Sequence, residues 1–215
     1  MSIPFSGQQF LQVFGGYNTA IWPMQFMLLG VAVAALQLSV ASPRRTALIP
    51  AFLLSSLWLW SGAVYHLIFF RRINPAATAF GALFLVQSVL VLLAAIRGDL
   101  VFGFRRSAAG WMGLALIVYS LVVYPAVSLL AGHRYPDIPT FGAPCPVTIF
   151  TLGLILWNVR RTPLYVIIVP LIWSAIGTNA ALSLGMAEDI ALPLAAILSL
   201  ATLIRGRVAH HPKPG

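Results

Sequence analysis

PAATAFGALFLVQSVLVLLAAI, residues 75–96, runs from Pro75 to Ile96 without one charged side chain. As an α-helix rising about 1.5 Å per residue it is about 33 Å long, enough to cross the roughly 30 Å of hydrocarbon in a bilayer. It lies between Arg71-Arg72 and Arg97, which set its ends at the two water interfaces. Three further runs have the same character: Trp22 to Ala41, Thr46 to Phe70 and Ala108 to Leu130. The later ones are less regular. Pro146 to Asn158 is short, Leu164 to Leu184 carries Pro170, and Ile190 to Ile204 is short and carries Pro193, which leaves half-helices open. The expected fold is an all-α, polytopic membrane helix bundle of seven transmembrane helices, with six as the alternative.

Composition agrees. Of 215 residues 60% are hydrophobic and 8% charged, and the mean hydropathy is +0.93, so there is too little polar surface to cover a soluble globule. The net charge of +9 is scattered in short arginine groups between apolar runs, the pattern of topology signals and not of a nucleic-acid face. Ten basic residues fall on one set of alternate loops: Arg44, Arg45, Arg97, Arg105, Arg106, Arg160, Arg161, Arg205, Arg207 and Lys213. Three, Arg71, Arg72 and Arg134, fall on the other. The positive-inside rule then places the N-terminus outside and the C-terminus in the cytoplasm. Nothing in Met1 to Ile21 reads as a removable leader. Residues 1–21 read as an amphipathic interfacial segment, 22–205 as a single transmembrane bundle domain and 206–215 as a cytoplasmic tail.

The arginine-poor end collects the chemically unusual residues. Pro144-Cys145-Pro146 puts the only cysteine at a helix start, where unpaired N–H groups and the helix dipole favour a thiolate. Counting residues inward from the interfaces places Cys145, His66, Asn179, Tyr124 and Gln25 at one depth, with Tyr65 beside His66 and Asp137 in the loop before Cys145. These seven residues form the expected outer pocket. Cys145 and His66 are its candidate metal ligands, toward a soft ion, because thiolate and imidazole suit such metals. The competing readings are a buried small residue between prolines and an interfacial imidazole bonded to a carbonyl. His133 is expected to be solvated or paired with Asp137. Arg71, Arg72 and Arg134 are expected to pair with Asp137, Glu188 and Asp189, the last two forming an outer loop. His210-His211 reads as polar tail.

Some classes drop out. No lysine interrupts an apolar run, which excludes a retinal Schiff base. No HExxH, GxSxG or Walker motif occurs.

Tyr17-Asn18-Thr19-Ala20-Ile21-Trp22-Pro23, Trp60-Ser61-Gly62-Ala63-Val64-Tyr65-His66 and Pro136 to Thr148 (PDIPTFGAPCPVT) resemble an uncharacterised family of bacterial integral membrane proteins of unknown function. The resemblance covers almost the whole chain. It implies a small multi-pass protein of the inner membrane and carries no activity, cofactor or catalytic residue. Three function classes stand: a transporter or channel for a small solute or soft metal, a membrane-embedded enzyme using Cys145 or His66, and a sensory or accessory subunit binding a ligand or partner outside. Gly81, Gly110 and Gly113 are candidates for helix contact, including a homo-oligomer.

Overall fold

The computed structural model describes residues 4–41 and 48–208, with the side chains of 205–208 left out. Arg44, Arg45, His210, His211 and Lys213 lie outside the described residues. Every regular element among the described residues is helical.

Ser6 starts α1 (Gly7–Ile21) with a capping box: its hydroxyl accepts from the Gln9 amide, and the Gln9 side chain accepts from the Ser6 amide. Fifteen residues are too few to cross a bilayer. Instead α1 lies across one end of the bundle, burying Val13, Phe14, Tyr17 and Asn18. Phe10 and Phe14 meet Phe70 and Tyr65 at ring separations of 5.6 and 5.3 Å.

Six helices are long and apolar enough to span: α2 (Met24–Ala41), α3 (Leu48–Arg72), α4 (Ala77–Ile96), α5 (Ala108–Leu130), α7 (Leu164–Leu184) and α8, where the crossing stretch is Ala187–Ile204. The seventh expected crossing, α6 (Pro144–Leu156), has 13 residues, about 20 Å of helix. Its shortness is explained by where it sits. All of its residues except Cys145 are buried, because α3, α5, α7 and α8 pack around it, and a helix apolar on every face is a core helix. It needs no match to the bilayer thickness because protein, not lipid, surrounds it.

The backbone below α6 is irregular but paired, as a segment at membrane depth must be. Asn158 carries much of this pairing: its side chain accepts from Val101 N and donates to Asp99 O and Thr162 Oγ1, each at 2.9 Å. Val159 N and Gly103 N add bonds to Val101 O and Trp157 O. Leu100, Val101 and Phe102 are thereby plugged into the core.

Small residues set the closest crossings. A Cβ on Gly113 would lie 2.7 Å from Gly153 O on α6, and one on Gly62 would lie 3.0 Å from Gly81 O on α4. Gly110 accepts from the Trp157 indole at 2.9 Å. Gly81, Gly110 and Gly113 therefore pack against their own chain, and all three are buried. Large apolar side chains instead line the outside of the spans, among them Phe26, Phe52, Trp111, Val122, Leu182 and Ile197. An exposed apolar belt of this kind suits lipid and not water.

Two spans loosen into π-helical turns, Ser61–Phe69 in α3 and Tyr119–Val123 in α5. Both lie in the halves of their helices nearest α1.

Candidate functional site

At the α1 end, which is the arginine-poor end, a cavity of about 250 Å³ opens beneath the lid. Phe5, Phe10 and Phe14 roof it, and Phe70, Phe80 and Ile176 form apolar walls. Its polar groups come from separate helices: Tyr65 from the π-turn of α3, Tyr124 just after the π-turn of α5, Cys145 from α6, and Trp173 and Asn179 from α7. Asp189 and Asn74 join them. The one residue of α6 that is not buried, Cys145, faces this space beside Pro144.

The chain positions these groups by identifiable means. Asn18 of α1, fully buried, donates from its amide to Pro136 O and Ile138 O at 2.7 Å each and accepts from Thr140 Oγ1 at 2.7 Å. It pins the loop that leads into α6. Ser61 donates to Gly142 O at 2.7 Å, Gly142 has φ +100°, and Ala143 is the extended N-cap before Pro144 at the first helical position. Cys145 is then delivered to the cavity wall at a fixed height. Tyr17 accepts from the Trp60 indole at 2.8 Å, and burial pushes its hydroxyl well above the ordinary tyrosine value.

Asp189 is reached differently. α7 ends at Gly185, whose φ of +74° is the left-handed conformation of a helix C-terminus, and Gly185 N and Met186 N bond back to Ala181 O. The turn Ala187–Ile190 that follows tucks both acids inward. Tyr124 donates to Asp189 Oδ1 at 2.6 Å. Ser128 donates to Glu188 Oε1 at 2.9 Å, and His133 Nδ1 stands 3.4 Å from the same oxygen.

The expected outer loop is therefore a buried acidic pair. Glu188 is fully buried and Asp189 is 4% exposed. The expected pairing of Arg71, Arg72 and Arg134 with these acids is replaced by hydroxyl and imidazole donors from α5 and the loop after it. Among the described residues the sole contact between a basic and an acidic side chain is that of His133 with Glu188, and none joins His133 to Asp137. Arg72 lies over the Phe69 ring instead, 5.0 Å from its centroid.

Of the seven residues expected to meet, Cys145, Tyr65, Tyr124 and Asn179 line the cavity. Gln25 does not: its amide donates to Asn18 O at 2.6 Å. Asp137 is exposed, with its carboxylate against Gly15. His66 is fully buried in a box of rings, 4.7 Å from Phe84 and 5.0 Å from Trp173, with neither ring nitrogen bonded. Cys145, Asp189 and Trp173 line the cavity, and His66 does not. Among the described residues no three of His, Cys, Asp and Glu gather as a metal-ligand set.

Trp173, Asp189 and the three phenylalanines of the lid escape a reading of sequence alone. For Asp189 the readable signal was an acid pair running straight into an apolar helix, where the dipole favours negative charge. The short amphipathic segment before the first span is expected to lie over the outer end of the bundle as a lid, and the structure sets it over Cys145.

Six spans, an apolar belt and a buried central helix define a polytopic membrane protein. The chain belongs to the Family of unknown function (DUF6064), whose model matches residues 7–212. No curated protein and no solved structure matches it.

Proposed function

We propose that this protein binds a small, mainly apolar molecule carrying one hydrogen-bonding group, in the cavity under α1. The observation that carries this reading is the lining itself: aromatic rings on the walls and, at the base, Cys145, Asp189, and the unpaired Tyr65 hydroxyl and Trp173 indole N–H. Apolar pockets with a few convergent polar groups are the usual form of small-molecule sites. Buried donors without partners are costly until a ligand or water satisfies them. Cys145 and Asp189 alone are a poor set for a soft metal, which favours an organic ligand. The arginine asymmetry supports an inner-membrane protein with this cavity on the extracytoplasmic side. The function is then that of a sensory or accessory receptor.

Transport of the same ligand is the second reading. It is favoured by a second cavity, of about 490 Å³, at the opposite end of α6. The two cavities share no lining residue, and the buried stretch of α6 lies between them, so transport requires α6 to shift.

The test uses the only cysteine. In detergent-purified protein, N-ethylmaleimide should modify Cys145 slowly through the cavity, and Ala180→Trp, which fills the cavity from α7, should slow it further by at least tenfold, roughly a 1.4 kcal/mol change in access. Mass spectrometry of the gently extracted protein should find a bound small molecule in wild type and not in Ala180→Trp. Equal modification rates together with no bound molecule in either protein would defeat the reading. Accumulation of that molecule in proteoliposomes would favour transport over reception.

A further inference from the structure

The second cavity carries chemistry of a different kind. Arg105, Arg160 and Arg161 all line it, together with Ser107, Thr162 and Thr202. Ile155, Leu156, Trp157 and Leu203 give it an apolar wall, and Asn158 lines it as well. Neither aspartate nor glutamate is among its lining residues. The acid at this end, Asp99, lies outside the cavity and accepts from the Tyr165 hydroxyl at 3.3 Å.

Topology signalling alone asks only that arginines lie on this side of the membrane, not that three of them converge on one concavity. Their convergence has a structural cause. The Asn158 bonds tie residues 99–101 to 158–162, which brings the Arg105 and Arg160-Arg161 segments together. Arg105 Nη2 donates to Val159 O at 3.3 Å, which orients that guanidinium and leaves most of its five donors unused. The Arg160 backbone N–H is held by Asn158 Oδ1 at 3.3 Å. At the nearby end of α6 the carbonyls of Leu154 and Ile155 accept from Trp157 N and Asn158 N.

We infer that this cavity is a phosphate-binding site, formed by Arg105, Arg160 and Arg161 with the Ser107 and Thr162 hydroxyls, for the phosphate group of a membrane lipid. All three arginines are solvent-exposed, and an anion among them relieves their mutual repulsion, with guanidinium forks that match phosphate oxygens in pairs. Basic pockets between membrane helices on the arginine-rich side are suited to anionic headgroups. The apolar wall beside the arginines decides for a lipid over the free anion, since it gives the first carbons of the chains a surface to cover. The site lies at the opposite end of α6 from the cavity under α1 and does not depend on the ligand proposed there.

The full chain in an uncharged detergent is titrated, by thermal unfolding, with dihexanoylphosphatidic acid, dihexanoylglycerol and inorganic phosphate. Phosphatidic acid should raise the unfolding temperature with a saturable midpoint, and dihexanoylglycerol should not. Arg160→Gln/Arg161→Gln should raise the midpoint by about tenfold or more, the loss expected for charge-assisted hydrogen bonds. Arg106→Gln removes a charge at the same end that does not line the cavity, and should leave the midpoint within about twofold. If the double glutamine variant does not purify folded, Arg160→Lys/Arg161→Lys is read in its place; it keeps the charge, loses the fork, and should still bind about threefold more weakly. Saturation by inorganic phosphate at the same midpoint would keep the phosphate site and transfer it from lipid to free anion. No saturable effect of either phosphate, equal weakening by Arg106→Gln, or a lysine variant that binds like wild type when only it can be read, would overturn the assignment.

Discussion

Replacing Asn18 by leucine tests how the cavity under α1 is assembled. The substitution nearly preserves volume but removes three side-chain hydrogen bonds, to Pro136 O, Ile138 O and from Thr140 Oγ1. Each is worth about 1 kcal/mol net, and the partners left behind are largely enclosed, so the expected loss is about 3 kcal/mol. For a chain of this length that is a fall in unfolding temperature of roughly 6 to 12 °C. Asn18→Asp sharpens the test. It can still accept from Thr140, but it sets carboxylate oxygens against two carbonyl oxygens, so its loss should equal or exceed that of leucine. Fluorescence-detected thermal unfolding in detergent reads both, and N-ethylmaleimide labelling of Cys145 should quicken in both as the loop before α6 loosens. An aspartate variant as stable as wild type, or a leucine variant shifted by less than about 2 °C with unchanged labelling, would refute the view that Asn18 holds this loop.

Other expectations follow from single contacts. Tyr124→Phe strips the donor from Asp189 Oδ1 and should cost about 1.5–3 kcal/mol in denaturant unfolding, above the ~0.6 kcal/mol average for hydrogen bonds in membranes; a smaller loss means that Asp189 has another partner. Gly113→Ala drives a methyl group to within 2.7 Å of Gly153 O, forcing α5 from α6 at a cost of about 1–3 kcal/mol, and an unfolding temperature equal to wild type would show that the crossing is loose. Phe10→Ala opens the lid, and faster maleimide labelling of Cys145 with little change in global unfolding is the expected pair of results. Labelling no faster than wild type would show that reagent enters elsewhere.

The spans were legible because hydrocarbon thickness imposes length and composition on each one separately. Ala108–Leu130 and Leu164–Leu184 have the boundaries their apolar runs predict. The brevity of Pro146 to Asn158 was also visible, but its cause was not: that α6 is enclosed by four helices is a property of the assembly. The acid pair shows the same divide. Glu188-Asp189 comes shortly after Gly185 and reads as a loop, and Tyr124 and Ser128, some 60 residues earlier, with His133 beside them, make its burial tolerable. Cys145, Tyr65, Tyr124 and Asn179 could be grouped by depth, because depth is a count along each helix. His66 could not be separated from them, since it shares their height but faces the rings of Phe84 and Trp173. Rotation about a helix axis has no signal in a segment that is apolar all round.

The brevity of α6 also bears on how the chain is made. A 13-residue helix gives the insertion machinery a weak signal compared with the roughly 20 apolar residues of an ordinary span, and the loop before it offers backbone groups that lipid cannot satisfy. Such a segment enters stably only once neighbours can receive it. α7 and α8, synthesised after it, close the sheath around it. Nascent chains that stop before Leu164 would leave Cys145 at the water interface, open to reagents that reach it only slowly in the finished protein.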